Sequence, residues 1–129
     1  MIKEMSYWAA PDVIENNYIN NIDDKKIKSL INYVCNNHGI TILQLQSKKR
    51  NREIVECRHE IFYILHKVYK VRSIKVGSLF NRDHSTVLHS CKTVSNFIEI
   101  DKKYENHMSN LINNFRSYYS TMQNNNQLN

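Results

Sequence analysis

The scarcity of turn-forming residues is the strongest constraint on the fold of this chain. Its 129 residues contain two glycines, Gly39 and Gly77, and one proline, Pro11. A β-sandwich or β-barrel needs many tight turns, and glycine and proline are the residues that form them most readily. The same scarcity leaves no glycine-rich loop of the kinds that hold nucleotide phosphates. We therefore expect an all-α protein that uses neither a nucleotide nor a cofactor.

Apolar residues recur at helical spacing along most of the chain. Ile27, Leu30, Ile31, Val34 and Cys35, for example, share one helix face. Residues that cap helices stand at the starts of several such patterns. The predicted helices are one capped by Asp23 and ended by Gly39, one capped by Thr41 and running through Leu45, one from about Arg52 to Tyr69, one capped by Ser73 and reaching Phe80, one capped by Asp83 and reaching Ile98, and one from about Asp101 to Met122.

Short helices joined by a tight break at Asn81 and Arg82, with longer helices on either side, are typical of a helix-turn-helix. We therefore expect an all-α, multi-helix domain containing a helix-turn-helix over residues 23–122. Residues 1–22 form an N-terminal arm to which the pattern assigns no role. The polar residues 123–129 are expected to be a disordered tail.

Basic residues are concentrated in one part of the chain. Residues 47–75 contain nine Lys or Arg and three acidic residues, whereas the remaining 100 residues carry nine of each sign. The net charge of +6 thus belongs to one patch, which favours an anionic polymer as partner but would also fit a solvated surface. The loop 48–52 places four cations in five residues, a composition that suits phosphates or a narrow minor groove.

The helix that begins at Asp83 is the candidate for insertion into DNA. If Val87, Leu88 and Cys91 face the core, the exposed side shows His84, Ser85, Thr86, His89 and Lys92. Short polar side chains and an imidazole near the first turn are what a recognition helix presents to base edges in the major groove. A surface helix with a capping aspartate is the alternative that the spacing leaves open.

The cysteines favour a structural role over metal binding or catalysis. Cys35, Cys57 and Cys91 lie inside apolar helical patterns, which is typical of buried thiols in a reducing compartment. The Cys–His pairs at 35/38, 57/59 and 89/91 do not supply four converging zinc ligands. We expect no metal and no enzyme activity; a nuclease accessory with a Cys/His metal site is the enzymatic alternative. No signal peptide and no run of about 20 apolar residues occurs, so we expect a cytoplasmic protein without membrane contact.

The segment from Val76 to Lys92 reads VGSLFNRDHSTVLHSCK. It resembles the signature of the C-terminal DNA-binding domain of the DnaA family of bacterial replication initiators. The resemblance extends to the basic residues of 47–52 and covers about residues 24–120. It implies a helix-turn-helix that binds double-stranded DNA at DnaA-box-like sites, with a role in replication initiation or transcription in a bacterium, phage or mobile element.

The resemblance also assigns roles to individual residues. It places Arg50 in the minor groove, Arg58 on DNA, and Arg82 with the four residues after it on bases and phosphates of the major groove. Chemically, Arg82 can fork onto guanine and Asp83 can accept from a cytosine amino group. The expected DNA-binding residues are Lys48, Lys49, Arg50, Arg52, Arg58, Arg82, Asp83, His84, Ser85, Thr86 and His89.

The chain departs from the family's pattern in ways that bear on its target and its role. Ser85 stands where the family usually has Thr, the family's Arg-Pro-Arg-Gln is replaced at 56–59 by Glu-Cys-Arg-His, and the turn between Phe80 and Arg82 is one residue shorter than in many members. The 129 residues contain no counterpart of the family's ATPase domain, so we expect a free-standing relative. The alternative function is a protein-interaction module that binds replication-initiation proteins through its last helix, with only non-specific affinity for DNA.

Overall fold

Local capping signals decide where the first helices begin and end. Asp23 accepts a hydrogen bond from the Lys26 amide at 2.8 Å, and Gly39 ends that helix with φ of +67°. Thr41 and Gln44 form a reciprocal capping box, each side chain accepting from the other's backbone amide. All these ends were predicted and are confirmed.

The computed structural model describes residues 22–128, and within that range the chain forms six α-helices. They are α1 (Asp24–His38), α2 (Ile42–Gln46), α3 (Arg52–Tyr63), α4 (Ser73–Ser78), α5 (His84–Ile100) and α6 (Lys102–Leu128), and a π-helical turn at Ile64–Val68 continues α3. No strand occurs in this part of the chain, which confirms the all-α prediction. None of the helices in the described range is long and apolar enough to cross a membrane.

The core forms around α3, onto which α1 and α5 pack, and α6 packs against α5 and α1. Phe62 lies at its centre, with its ring 5.3 Å from that of Phe80. The three cysteines are buried, one each on α1, α3 and α5, as the sequence predicted. A hydrogen bond with Cys35 and burial both raise the pKa of the Cys57 thiol. Ile22, placed by the sequence in the N-terminal arm, is buried with this core.

The long helix predicted from about Arg52 to Tyr69 is confirmed as far as Val68, but its last turn, Ile64–Val68, is π-helical rather than α-helical. The π-helical turn adds a residue to the helical repeat and rotates the faces that follow it. Ile64 and His66 are therefore buried, whereas Val68 is only partly covered. The ring of His66 makes a 2.8 Å hydrogen bond with the Val71 carbonyl, which stabilises the turned chain.

The prediction that Ser73 caps α4 is also wrong. Arg72 occupies the N-cap position with extended backbone, and Ser73 is the first helical residue, with its side chain buried. A small hydroxyl side chain fits a site where the helix packs directly on the core. A hydroxyl side chain thus serves packing at Ser73 and capping at Thr41, a difference that spacing does not reveal.

A buried carboxylate ties three helices together. Glu60 on α3 has a side chain that is 5% exposed, and its two oxygens lie 2.8 Å from His38 Nε2 and 2.9 Å from His107 Nε2. Those histidines come from α1 and α6, so a single acid joins both outer helices to the central one. Burial and the Glu60 carboxylate raise the pKa of the neighbouring Tyr104 to about 12.

The last helix continues past its predicted end near Met122. It runs to Leu128, through residues for which a disordered tail was predicted, and Gln123 donates to the Tyr119 hydroxyl at 2.9 Å. Asparagine and glutamine are tolerated in an exposed helix that is already nucleated, so composition alone predicted too early a stop. Residues 1–21, most of the predicted arm, and Asn129 lie outside the described range.

Candidate nucleic-acid interface

A close backbone contact shapes the turn between α4 and α5. The Gly77 carbonyl accepts from the Phe80 amide at 3.0 Å and the Arg82 amide at 2.9 Å, and Asn81 takes a left-handed φ of +57°. A Cβ on Gly77 would lie less than 3.0 Å from the Arg82 carbonyl oxygen, a separation that real Cβ atoms essentially never show. Only glycine lets the turn pack this tightly. The predicted break at Asn81 and Arg82 is confirmed, and it fixes the start of α5.

Asp83 organises the first turn of α5. Its Oδ1 accepts from Ser85 Oγ at 2.7 Å, from the Thr86 amide at 3.0 Å and from Thr86 Oγ1 at 3.1 Å. The Ser85 hydroxyl, then the Thr86 amide and hydroxyl, hold the pKa of the carboxyl below its usual range. Because both hydroxyl protons point to Asp83, the Ser85 and Thr86 oxygens face other partners as acceptors. The helix start is therefore rich in hydrogen-bond acceptors.

The predicted polar face of α5 lies away from the core. His84, Ser85 and Thr86 are half-buried, and His89 and Lys92 are exposed. Val87, Leu88 and Cys91 are buried, as the sequence predicted. The face that the sequence assigned to DNA is thus available to a partner.

The basic loop, residues 47–51, connects α2 to α3 and presents its cations outward. Lys48, Lys49 and Arg50 are exposed, and the side chain of Arg52, the first residue of α3, is 90% exposed beside Glu56. The loop begins in an ordered turn, because Ser47 Oγ donates to the Gln44 carbonyl at 2.6 Å and accepts from the Lys49 amide at 3.2 Å. Four of the predicted DNA-binding residues therefore lie together at one edge of the domain.

Two of the predicted DNA-binding arginines, Arg58 and Arg82, donate to backbone carbonyls. Arg58 is 7% exposed, and its guanidinium donates to the Leu45 carbonyl at 3.1 and 2.9 Å and to the Ser47 carbonyl at 3.3 Å. Arg82 is half-buried and donates to the Phe80 carbonyl at 2.8 Å and the Ser47 carbonyl at 2.6 Å. Both guanidiniums are thus engaged by backbone rather than extended toward a ligand. Side chains with five donors can satisfy several loop carbonyls at once, a use that charge patterning does not predict.

The basic loop, α3 and α5 surround a cationic cavity of about 400 Å³. Its lining residues are Lys48, Arg50, Val55, Arg58, His59, Arg82, Thr86, His89 and Ser90. The pKa of Arg58 is lowered by burial and then by repulsion from Arg82 and Arg50. The pKa of His59 is lowered by burial and then by repulsion from His89 and Arg58. Mutually repelling cations around an open cavity favour an anion inside it.

His59 was not among the predicted site residues. It follows Arg58 on α3 and lies seven residues after Arg52, two helical turns along, which puts it close to the same helix face. That spacing is the signal that could have found it. In the part of the chain that the structure covers, no group of three or more His, Cys, Asp or Glu is arranged to hold a metal ion.

Comparison with known proteins identifies relatives of this domain. The family model described as "Bacterial dnaA protein helix-turn-helix" matches residues 27–94. The chain is 29% identical over 104 residues to the chromosomal replication initiator protein DnaA of Bacteroides thetaiotaomicron, which covers 80% of this chain and 22% of that protein. It is 34% identical over 86 residues to DnaA of Bacteroides fragilis, covering 66% and 18%, and 32% identical over 105 residues to DnaA of Flavobacterium psychrophilum, covering 80% and 22%. The chain thus spans about a fifth of the length of these curated relatives.

Proposed function

The chain belongs to the bacterial DnaA helix-turn-helix family, whose domain binds DNA and is not catalytic, and from that premise we propose that it recognises a short double-stranded site resembling a DnaA box. Through such sites it regulates replication initiation or transcription. The proposal extends the resemblance residue by residue, from binding DNA to reading a particular sequence.

The observation that carries the proposal is the cationic cavity between the basic loop and α5. A DNA strand that separates a minor groove from the next major groove presents its phosphates between two such elements. With that strand across the cavity, Arg50 reaches the minor groove and the first turn of α5 enters the major groove. Lys48 and His89 lie at the cavity, where phosphates are expected. The domain thereby contacts both grooves of one duplex.

The chemistry of the α5 start indicates what it reads. The Ser85 and Thr86 hydroxyl oxygens are available as acceptors, since their protons are directed to Asp83. Amino groups at cytosine N4 and adenine N6 are the donors that the major groove offers. Ser85 has no methyl group to pack on a thymine methyl, unlike the threonine usual in the family. We therefore expect a site related to the DnaA box but altered where the family's threonine would contact thymine.

Selection from a random duplex library at about 150 mM salt tests the proposal, because affinity for nucleic acid has meaning only at a stated salt concentration. A sharp motif related to the DnaA box is the expected result. Measurable binding with a flat sequence profile would overturn sequence-specific recognition. If about six phosphates are neutralised, the logarithm of the affinity falls with the logarithm of salt concentration at a slope near −5.

Single variants separate the two kinds of contact. Arg50→Ala is expected to weaken the selected site more than random DNA, whereas Lys49→Ala weakens both alike and makes the salt slope shallower by about one. Arg116→Ala, an exposed arginine on α6, is the matched control and leaves both affinities unchanged. Equal losses on both DNAs for Arg50→Ala and Lys49→Ala would contradict the assigned minor-groove role.

A second candidate function is a docking module for replication-initiation proteins. It is favoured by large apolar side chains exposed away from the basic loop, among them Ile100 at the end of α5 and Tyr118 on α6. A flat selection profile together with a tight complex with an initiation protein, lost in Tyr118→Ala, would establish this function instead.

A further inference from the structure

The Ser47 carbonyl joins the basic loop to the recognition helix. It accepts from Arg82 Nη2 at 2.6 Å and from Arg58 Nη2 at 3.3 Å. We propose that Arg82 is a positioning residue, which holds the basic loop in register with α5, and not the guanine-reading residue that its place in the motif suggests. The proposal rests on the function above and specifies how the two DNA-contacting elements are coupled.

The contacts of Arg82 argue against direct readout. Its guanidinium donates both to the carbonyl of Phe80, immediately before the turn, and to the carbonyl of Ser47 in the basic loop, far earlier in the chain. A guanine contact needs two parallel N–H groups of the same guanidinium directed into the groove. Turning Arg82 toward a base would break both bonds and leave the Phe80 and Ser47 carbonyls without this donor, which is costly for partly buried groups.

Neighbouring contacts strengthen the same connection. Arg58 donates twice to the Leu45 carbonyl, and the Gln46 side chain donates to the Leu79 carbonyl at 3.1 Å. Three consecutive residues at the end of α2, Leu45 to Ser47, are therefore bonded to α3 or to the segment that leads into α5. The loop leaves from a point that is fixed relative to the recognition helix before any DNA arrives. Such preorganisation lowers the entropy lost when both elements engage one duplex.

Arg82 also lies at the cationic cavity, which affects how the connection that Arg82 makes between Ser47 and Phe80 responds to DNA. Arg82 and Arg50 both repel Arg58 there, and an entering phosphate relieves that repulsion. DNA binding is therefore expected to strengthen the hydrogen bonds of Arg82 to the Ser47 and Phe80 carbonyls rather than to release Arg82 for another contact. This expectation separates the positioning role from a model in which Arg82 changes partners on binding.

Limited trypsin digestion of the DNA-free protein tests whether Arg82 holds the basic loop in place, independently of DNA recognition. Cleavage after Lys48, Lys49 and Arg50 reports local opening of the loop. Arg82→Ala is expected to accelerate that cleavage about tenfold, and Arg82→Lys by less, since one ammonium can replace only part of the bridge. Lys92→Ala, an exposed cation on α5, is the matched control and leaves the rate unchanged. Wild-type loop cleavage in a folded Arg82→Ala protein would overturn the proposal.

A double-mutant cycle on the selected site tests the consequence for binding. If Arg82 acts through the loop, Arg50→Ala costs at least threefold less affinity in the Arg82→Ala protein than in the wild type, and no single base pair loses its discrimination. Additive losses with relaxed preference at one guanine would instead establish direct readout. If the wild-type protein discriminates no site, the proposed function fails while the trypsin result still decides the positioning role.

Discussion

Gly77→Ala is expected to destabilise the helix-turn-helix, although alanine is the better helix former. The added Cβ would lie less than 3.0 Å from the Arg82 carbonyl oxygen and 3.2 Å from both the Arg82 carbonyl carbon and the Asp83 carbonyl oxygen. All three atoms are backbone, so no side chain can rotate away. Overpacking of this kind costs about 2–3 kcal/mol, and the helix gain from glycine to alanine returns about 0.5–1 kcal/mol. The net loss is therefore about 1–2.5 kcal/mol.

Thermal and urea denaturation measure that loss directly. For a domain of this size the net cost corresponds to a fall in Tm of about 5–15 °C. Gly39→Ala is the informative comparison, because Gly39 has a φ of +67° and no atom within 4 Å of its ideal Cβ, so its cost comes from backbone strain alone. Gly77→Ala should also weaken DNA binding after correction for the folded fraction, and Gly39→Ala should not. An unchanged or raised Tm for Gly77→Ala would refute the packing argument.

Three further substitutions test the charged groups. Asp83→Asn should lower the stability of the fold at pH 7. The pKa of Asp83 is depressed in the folded state, so the charged carboxylate contributes stability above its ordinary pKa of 3.8. In thermal melts, the difference between the variant and the wild type should vanish as the pH falls below 3.8 and through the depressed pKa. The pKa of His59 is lowered in the folded state, so the unfolded state binds the proton of this histidine more readily. The free energy of unfolding should therefore decrease when the pH is lowered below about 6.5. Urea titrations at pH 5.5 and 7.5 should show this decrease in the wild type and not in His59→Gln. Glu60→Gln leaves one of two histidines without its acceptor and should cost about 1–3 kcal/mol in urea. Glu105→Gln on α6, which loses a surface ion pair with Lys102, should cost almost nothing.

The parts of the fold that sequence predicted are those decided by local chemistry. Asp23, Gly39 and Asp83 act within three or four residues of their own position, and spacing along one helix identified their neighbours. The break after Phe80 was likewise readable, because few residues tolerate its geometry. The face of α5 that points away from the core followed directly from these boundaries.

The parts that sequence missed depend on contacts between distant segments. The π-helical turn after Tyr63 is stabilised by His66 and Val71, and no periodic pattern marks an inserted residue. In the sequence, Arg58 and Arg82 look like any other candidate DNA-binding arginines, and only the fold shows that both donate to the Ser47 carbonyl. Charge in the sequence thus indicates where the candidate interface lies, but not which of its arginines donate to backbone carbonyls.

The three buried cysteines make the domain chemically addressable helix by helix. Cys35, Cys57 and Cys91 are 3%, 0% and 1% exposed, and they lie on α1, α3 and α5. A thiol reagent reaches each sulfur only when its helix separates from the core. The labelling rate at each cysteine therefore measures how often that helix opens. Mass spectrometry of the three peptides then distinguishes one concerted opening from a sequence of partial ones. The native chain thereby carries its own reporters, and no probe has to be engineered into it.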